Sequence, residues 1–186
     1  MVWLALMMGC GGSDDKASVD TTDTIDTAED YDPPGALEVG VARTRMPVPV
    51  GIGTAGFGGF GIFADKTPFA EIYPGTQAIH GHPDFRATVI SRGEGHTVIF
   101  LRVDTVGMFQ QLRRSVVLEL EERTGRRDID DALVIGATHT HSGPGRVIDA
   151  GGPFELIADR FLPEFYDNLV VAMADTVEAA LADLKP

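Results

Sequence analysis

Residues 86–103, RATVISRGEGHTVIFLRV, contain two β-branched runs separated by a short glycine-containing turn. The runs occupy residues 87–90 and 97–103, and residues 92–95 connect them. Valine, isoleucine and threonine favour strands, and a turn of this length between two such runs is typical of paired strands. The stretch therefore predicts two adjacent strands and a fold built around a sheet.

Helix and strand patterns alternate on the C-terminal side of this pair. Residues 108–124 carry apolar side chains at helical spacing, and Gly125 is a suitable helix terminator. Residues 132–137, ALVIGA, form a continuous apolar run, as expected of a strand buried on both faces. A second apolar helix is predicted over about residues 163–184. The order indicates an α/β fold with a mixed β-sheet flanked by helices.

Three further patterns precede the strand pair. Residues 37–42 alternate apolar and other side chains, as a half-buried strand does. Residues 46–50, MPVPV, cannot form a central strand because proline lacks the N–H that a sheet needs. The glycine-rich residues 51–61 include a GxGxxG pattern starting at Gly51, but prolines precede it and more glycines follow. We interpret it as a flexible loop close to a ligand or to packed backbone, not as a dinucleotide site.

The chain is acidic, and most of the acidity is local. Its 28 Asp and Glu against 15 Lys and Arg give 186 residues a net charge of −13, which argues against nucleic-acid binding. Residues 11–35 hold eight acidic residues and one basic residue, a net charge of −7. They offer little apolar surface to offset ordering entropy, so they are predicted to be a disordered linker. Residues 36–186 are long enough for one ordinary domain.

Residues 1–10, MVWLALMMGC, are apolar and end in the single cysteine, Cys10. One cysteine excludes internal disulfides and cysteine-based zinc sites. The run is too short to span a bilayer, and the small residue before Cys10 with a polar linker after it resembles a bacterial lipoprotein signal. The resemblance implies lipidation of Cys10 and an extracytoplasmic location, membrane-anchored or secreted. No basic residue precedes the apolar run; a true start codon further upstream would explain this departure. The alternative to the lipoprotein signal is a free thiol at a frayed N-terminus.

The candidate chemistry lies in residues 138–145, THTHSGPG, directly after the apolar run 132–137. Alternate residues of a strand point the same way, so His139 and His141 are expected on one face at its C-terminal end, where open α/β sheets bind ligands. The pair could supply two metal-binding nitrogens, or one ligand and one proton donor. Two polar residues hydrogen-bonded at a strand end are the alternative, because two histidines do not complete a zinc sphere.

The motif resembles that of a known family. Residues 136–145 resemble the strand-end motif GTHTHSGPGG of the neutral/alkaline non-lysosomal ceramidases, with departures at Ala137 and, just beyond, Arg146. The resemblance extends in order over about residues 37–184, including VDTVGM at 103–108. It implies a zinc amidohydrolase that cleaves the N-acyl bond of ceramide, at a membrane surface, to sphingosine and a fatty acid. No protein partner is inferred.

The resemblance also implies residue roles. His139 corresponds to a Zn²⁺ ligand, and His141 to a catalytic histidine that faces the substrate and stabilises the developing oxyanion. Weaker substrate-binding or second-layer candidates are Asp104, His80 and Gly56. Asp104 is expected either to orient a histidine or to cap the following helix. His82 departs from the family pattern and is expected at the surface.

The length of the chain leaves alternatives open. Family enzymes are several times longer, and their other zinc ligands, a histidine, a glutamate and a tyrosine, correspond to positions beyond Pro186. We therefore expect residues 36–186 to be the incomplete N-terminal portion of a larger catalytic domain, with activity belonging to a longer product. The alternatives are a non-catalytic or vestigial surface lipoprotein fragment, and a hydrolase of another amide or ester lipid.

Overall fold

The computed structural model describes residues 35–56, 66–149 and 151–186. The expected signal at residues 1–10, with Cys10, and nearly all of the expected linker at 11–35 lie outside the described residues and stay predictions. Residues 57–61 of the glycine-rich stretch also lie outside them.

Four strands form one mixed sheet among the described residues. They are β1 (Glu38–Arg45), β2 (Asp84–Ser91), β3 (Thr97–Val103) and β4 (Leu133–Ala137). The spatial order follows the chain, with β1–β2 and β2–β3 antiparallel and β3–β4 parallel. The predicted strand pair and the mixed α/β sheet are thus confirmed.

Helices connect and cover the strands. Helix α1 (Gln110–Thr124) and the short α2 (Ile129–Ala132) lie between β3 and β4, which gives the crossover that parallel strands require. After β4 come a 3₁₀ turn (Gly152–Phe154), α3 (Glu155–Ala158) and α4 (Pro163–Ala182). Gly125 ends α1 as predicted, with a left-handed φ of 71°. Within the described residues no helix has the length and apolar character that a bilayer crossing requires.

The helical layer covers one face of the sheet. Helix α4 lies on β1 and β2, and α1 packs beside α4. The apolar faces expected for the two helices are buried, including Leu112 and Val116 in α1 and Leu169 and Met173 in α4. Each such side chain contributes roughly 1.5–3 kcal/mol by leaving water. Helix α4 lies so close to β1 that a Cβ on Gly40 would overlap the carbonyl oxygen of Ala180.

The other face of the sheet carries exposed apolar side chains and is called the open face below. Its members are Val39, Val41, Ile90, Val98, Phe100 and Val134. The prediction that β4 is buried on both faces is wrong for the described residues, because Val134 is 52% exposed. The alternation in β1 is confirmed, but its valines lie on the open face while Gly40 faces α4. The small side chains of β1 thus face the helix, and the large ones do not.

Candidate functional site at the end of the parallel strands

The candidate site begins where the two parallel strands end together. Val103 of β3 pairs with Ala137 of β4, and the N–H of Thr138 donates to the Val103 carbonyl oxygen at 3.0 Å. Residues 138–146, called the histidine loop below, follow β4 at this edge. The loop lies at the carboxyl ends of parallel strands, where α/β sheets place ligands, as the sequence indicated.

His139 is held by a backbone carbonyl. Its Nδ1 lies 2.6 Å from the carbonyl oxygen of Val106, in the connection from β3 to α1. A carbonyl oxygen only accepts, so Nδ1 donates its proton and the neutral ring has its lone pair on Nε2. The φ of His139 is 59°, a left-handed conformation that is uncommon outside glycine. The side chain is exposed, so Nε2 has the arrangement typical of a metal-ligating imidazole.

His141 lies beside His139, but for a different reason from the one expected. The two ring centroids are 5.1 Å apart, with the rings at 80° to each other. The expectation that strand alternation would project both from one face is wrong, because β4 ends at Ala137. The left-handed backbone at His139 and the turn after it bring the rings together instead.

Gly56 allows the backbone to approach the imidazole of His141. A Cβ on Gly56 would lie 2.5 Å from Nδ1 and 2.7 Å from Cε1 of that ring, closer than real Cβ atoms come. Gly56 also has a φ of 94°, which disfavours any L side chain. The interpretation of the glycine-rich stretch as closely packed backbone therefore fits this position, and the packed group is the candidate catalytic histidine.

The rest of the histidine loop is fixed by backbone contacts. The N–H of Gly145 donates to the Gly53 carbonyl oxygen at 2.8 Å, and that of Ala55 donates to Gly143 at 3.3 Å. A Cβ on Gly143 would lie 2.6 Å from the backbone oxygen of Asp104. The glycines around Pro144 therefore let three chain segments meet without side chains between them.

Asp104 has different partners from the two expected. Its Oδ1 accepts from Arg102 at 2.7 Å and its Oδ2 from the N–H of Asp84 at 3.0 Å. Helix α1 begins after Phe109 without a side-chain cap, so the helix-capping alternative is wrong. The carboxylate of Asp104 is bonded to an arginine and to a strand N–H instead of a histidine. The backbone oxygen of Asp104 lies directly against Gly143.

Asp84, whose N–H donates to Asp104, is the centre of a network of charged side chains. Its side chain is 3% exposed and pairs with Arg43, Arg86 and Arg102. Burial raises the pKa of Asp84, but hydrogen bonds from Arg86 and Arg43 outweigh that effect, so the pKa lies below its usual range. The group is thus charged at neutral pH and holds the ends of three strands together.

Two clefts adjoin the histidine loop. His80 and His141 both line a cleft of about 290 Å³, in which Ser142 also takes part. A more apolar cleft of about 490 Å³ is lined by residues that include Met46, Pro47, Phe69, Leu162 and Phe165. Val48 lines both clefts, so they are neighbours. His80 is thus placed near His141, while His82 is exposed, as expected, and lines the apolar cleft.

Sequence reasoning missed the ion pair of a buried arginine, Arg146, that anchors the end of the histidine loop. Arg146 is 2% exposed, has a φ of 64°, and its Nη2 donates to Glu71 at 2.8 Å. Asp159 is also buried and accepts from the N–H groups of Glu71, Ile72 and Arg160. A left-handed φ favours glycine, the residue that the family motif has where this chain has Arg146. The replacement of that glycine by arginine was the feature of the sequence that could have drawn attention to Arg146.

The donor set fits part of a metal site. His139 has the outer hydrogen bond that orients a metal-binding imidazole, and His141 is adjacent. Among the residues that the structure describes, no group of three or more His, Cys, Asp or Glu side chains is arranged to hold a metal ion. These residues would therefore form one side of a site.

The fold and the histidine loop define the class of protein: an α/β protein with a histidine pair at the carboxyl ends of parallel strands. A model of the neutral/alkaline non-lysosomal ceramidases, for their N-terminal part, matches residues 49–186. The chain therefore belongs to the neutral/alkaline non-lysosomal ceramidase family, and the resemblance of its motif is confirmed.

Individual relatives agree with this assignment. Neutral ceramidase of Drosophila melanogaster is 32% identical over 96 residues, covering 52% of this chain and 14% of the relative. Neutral ceramidase of Pseudomonas aeruginosa is 24% identical over 152 residues, covering 81% of this chain and 22% of the relative. The crystal structure of the Pseudomonas protein matches 81% of this chain with a TM-score of 0.64 and 22% identity, which supports the fold. The chain thus spans about a fifth or less of these relatives.

Proposed function

We propose that this chain supplies the histidine-bearing part of a zinc-dependent amidohydrolase that cleaves the N-acyl bond of ceramide to sphingosine and a fatty acid. The observation that carries the proposal is the geometry of His139, whose Nδ1 binds the Val106 carbonyl so that Nε2 carries the lone pair. Family membership supports the same reaction class. The activity belongs to the longer product that contains the remaining ligands.

His139 would hold the zinc through Nε2, and the Val106 carbonyl fixes the tautomer and the ring orientation. Zinc, when bound, lowers the pKa of its water towards about 7 and polarises an amide carbonyl. His141, 5.1 Å away between ring centroids, would donate a hydrogen bond to the oxyanion that develops at the scissile carbon. Gly56 leaves the space that this imidazole occupies, since a Cβ there would overlap the ring.

The neighbouring apolar cleft supports a lipid substrate. It lies next to the His80–His141 cleft through Val48, and its lining is largely Met, Pro, Val, Phe and Leu. A hydrocarbon chain placed there would leave water, which is favourable by roughly 0.8 kcal/mol per buried CH₂ group. The amide of the same molecule would then lie near the histidine loop.

The test uses the longer gene product, N-acyl sphingoid substrate and metal analysis. We expect His139→Ala to lose both zinc and hydrolysis, and His141→Gln to keep zinc but to lose roughly 10²–10³-fold in kcat, as removal of an oxyanion donor does. His96→Ala is the control, because His96 lies in the β2–β3 turn at the opposite end of the strands. Unaltered zinc content and activity in His139→Ala would contradict the assignment.

Two other outcomes favour the alternatives. Hydrolysis of other amide or ester lipids with no ceramide hydrolysis would indicate a relative of different specificity. A reading frame that closes at codon 186, with no hydrolysis by the chain, would indicate a non-catalytic surface lipoprotein.

We also propose that the protein is extracytoplasmic, attached through lipid on Cys10. The support is the sequence pattern of residues 1–10 and the acidic segment that follows. Metabolic labelling with a radioactive fatty acid should mark the protein and not Cys10→Ser, and labelling of the variant would disprove the attachment site.

A further inference from the structure

Strands β3 and β4 have the sequence of strands that are buried on both faces. In β3, Ile99 and Leu101 point to the helices and are buried, whereas Val98 and Phe100 point away and are 42% and 48% exposed. Near-continuous apolar runs of this kind occur in sheets with both faces covered, while a sheet with one face in water alternates apolar and polar residues. The amino acids of the open face are therefore those of a packed layer.

The register makes the open face continuous. Val41, Phe100 and Val134 lie in one row across β1, β3 and β4, with Thr88 of β2 between them. Val39, Ile90 and Val98 form the neighbouring row. Exposed apolar side chains that are contiguous, not scattered, are typical of an interaction surface.

A polar border lies along one side of this apolar area. Arg43, Arg86 and Arg102 form the next row of the same face, with side chains 65%, 50% and 39% exposed. Two carboxylates, Asp84 and Asp104, neutralise part of this charge. The three arginines, called the arginine row below, therefore carry more positive charge than the two carboxylates neutralise. Their exposed side can bind further hydrogen-bond acceptors.

The extent of the relatives indicates what covers the face. The Pseudomonas structure that shares this fold matches the chain over 22% of its own length, so most of that polypeptide lies outside the shared part. The family model that matches is also one of an N-terminal part. A domain of this kind needs an apolar layer against each apolar face of its sheet.

We propose that the open face is the docking surface for the polypeptide that follows residue 186 in a longer product, and that this polypeptide lays an apolar layer over Val41, Phe100 and Val134. Its edge meets the arginine row with carboxylate or carbonyl oxygens. Because Arg102 pairs with Gly136, three residues before His139, this layer ends beside the histidine loop. The proposal shares the longer product with the proposed function, but docking depends on packing and not on the histidines, so protection of position 100 and hydrolysis are measured separately.

The test is thiol accessibility in a Cys10→Ser background, which removes the native cysteine. Phe100→Cys on the open face is compared with Leu118→Cys on α1, because the native side chains are 48% and 49% exposed. We expect similar maleimide labelling rates at both positions in the 186-residue chain. In the longer product we expect labelling at position 100 to slow by roughly tenfold or more, since it then requires local opening.

Val134→Cys repeats the measurement should Phe100→Cys fail to fold. Unchanged labelling of both open-face positions in the longer product would overturn the proposal. So would a reading frame that closes at codon 186. Protection in the 186-residue chain that rises with protein concentration and accompanies a dimer would overturn it as well, because a second copy would then be the occupant.

Discussion

The helix-packed body, formed by β1–β4, α1 and α4, and the histidine loop are built by different means. The body is held by periodic apolar side chains that form one buried cluster. The histidine loop is held by close backbone approaches at Gly143 and Gly145, by left-handed residues at His139 and Arg146, and by an ion pair. Apolar packing tolerates exchange among similar side chains, whereas the loop depends on particular residues at particular backbone positions.

The largest effect is expected in the helix-packed body. Phe85 is fully buried, so Phe85→Ala should lower the free energy of unfolding by about 3–5 kcal/mol through lost burial and a cavity. Urea denaturation followed by circular dichroism measures the change. Phe100→Ala is the matched control on the open face and should cost the 186-residue chain only about 1 kcal/mol, because about half of that side chain is already exposed. Equal effects would mean that the two faces do not differ as described.

The next effect concerns the anchor of the histidine loop. Arg146→Ala should cost about 2 kcal/mol, because it removes a buried guanidinium that pairs with Glu71 and keeps a left-handed backbone. Arg146→Gly should be less destabilised than Arg146→Ala by about 1 kcal/mol, since glycine accepts that φ. Arg160→Ala is the control: Arg160 pairs with the same Glu71 but is exposed, so no measurable change is expected. Equal stability of the Gly and Ala variants would argue against backbone strain.

A comparable effect in the connection between α1 and α2 depends on pH. The hydrogen bond from Arg126, against the opposing effect of burial, lowers the pKa of Asp128 from 3.8 to about 2. A lowered pKa in the folded state means that the stabilisation is present above pH 3.8 and is lost as the pH falls from there through about 2. The shift corresponds to about 2 kcal/mol. Asp128→Asn and Arg126→Gln should both flatten the pH dependence of urea unfolding in this window, and an unchanged slope would contradict the pairing.

The smallest effect on stability is expected at Gly56. Gly56→Ala should cost about 1 kcal/mol for its left-handed φ but should displace the ring of His141, which a Cβ would approach to 2.5 Å. Imidazole NMR signals measure the displacement. In the longer product a shift of about 1 Å would reduce kcat roughly 10²-fold. Gly81→Ala is the control, since Gly81 lines the same cleft and a Cβ there meets nothing within 4 Å. Unmoved His141 signals in Gly56→Ala would show that the loop adjusts.

The body was largely predictable and the histidine loop was not. The runs at residues 97–103 and 108–124 gave β3 and α1 nearly at their observed bounds, because side-chain periodicity is local. Periodicity did not reveal that Val39 and Val41 lie on the open face, since α4 fits only against Gly40 and that contact joins residues far apart in sequence. The roles of His139 and His141 remain predictions, although the structure places the two rings together.

The sequence by itself determined the order and type of the main elements, the end of α1 at Gly125, and the motif that identifies the family. The tertiary structure alone decided which nitrogen of His139 carries the lone pair, that Gly56 abuts His141, and that Arg146 reaches Glu71. The first group follows from local propensity and periodicity. The second depends on contacts between distant segments, whose geometry is fixed only when the sheet and helices have packed.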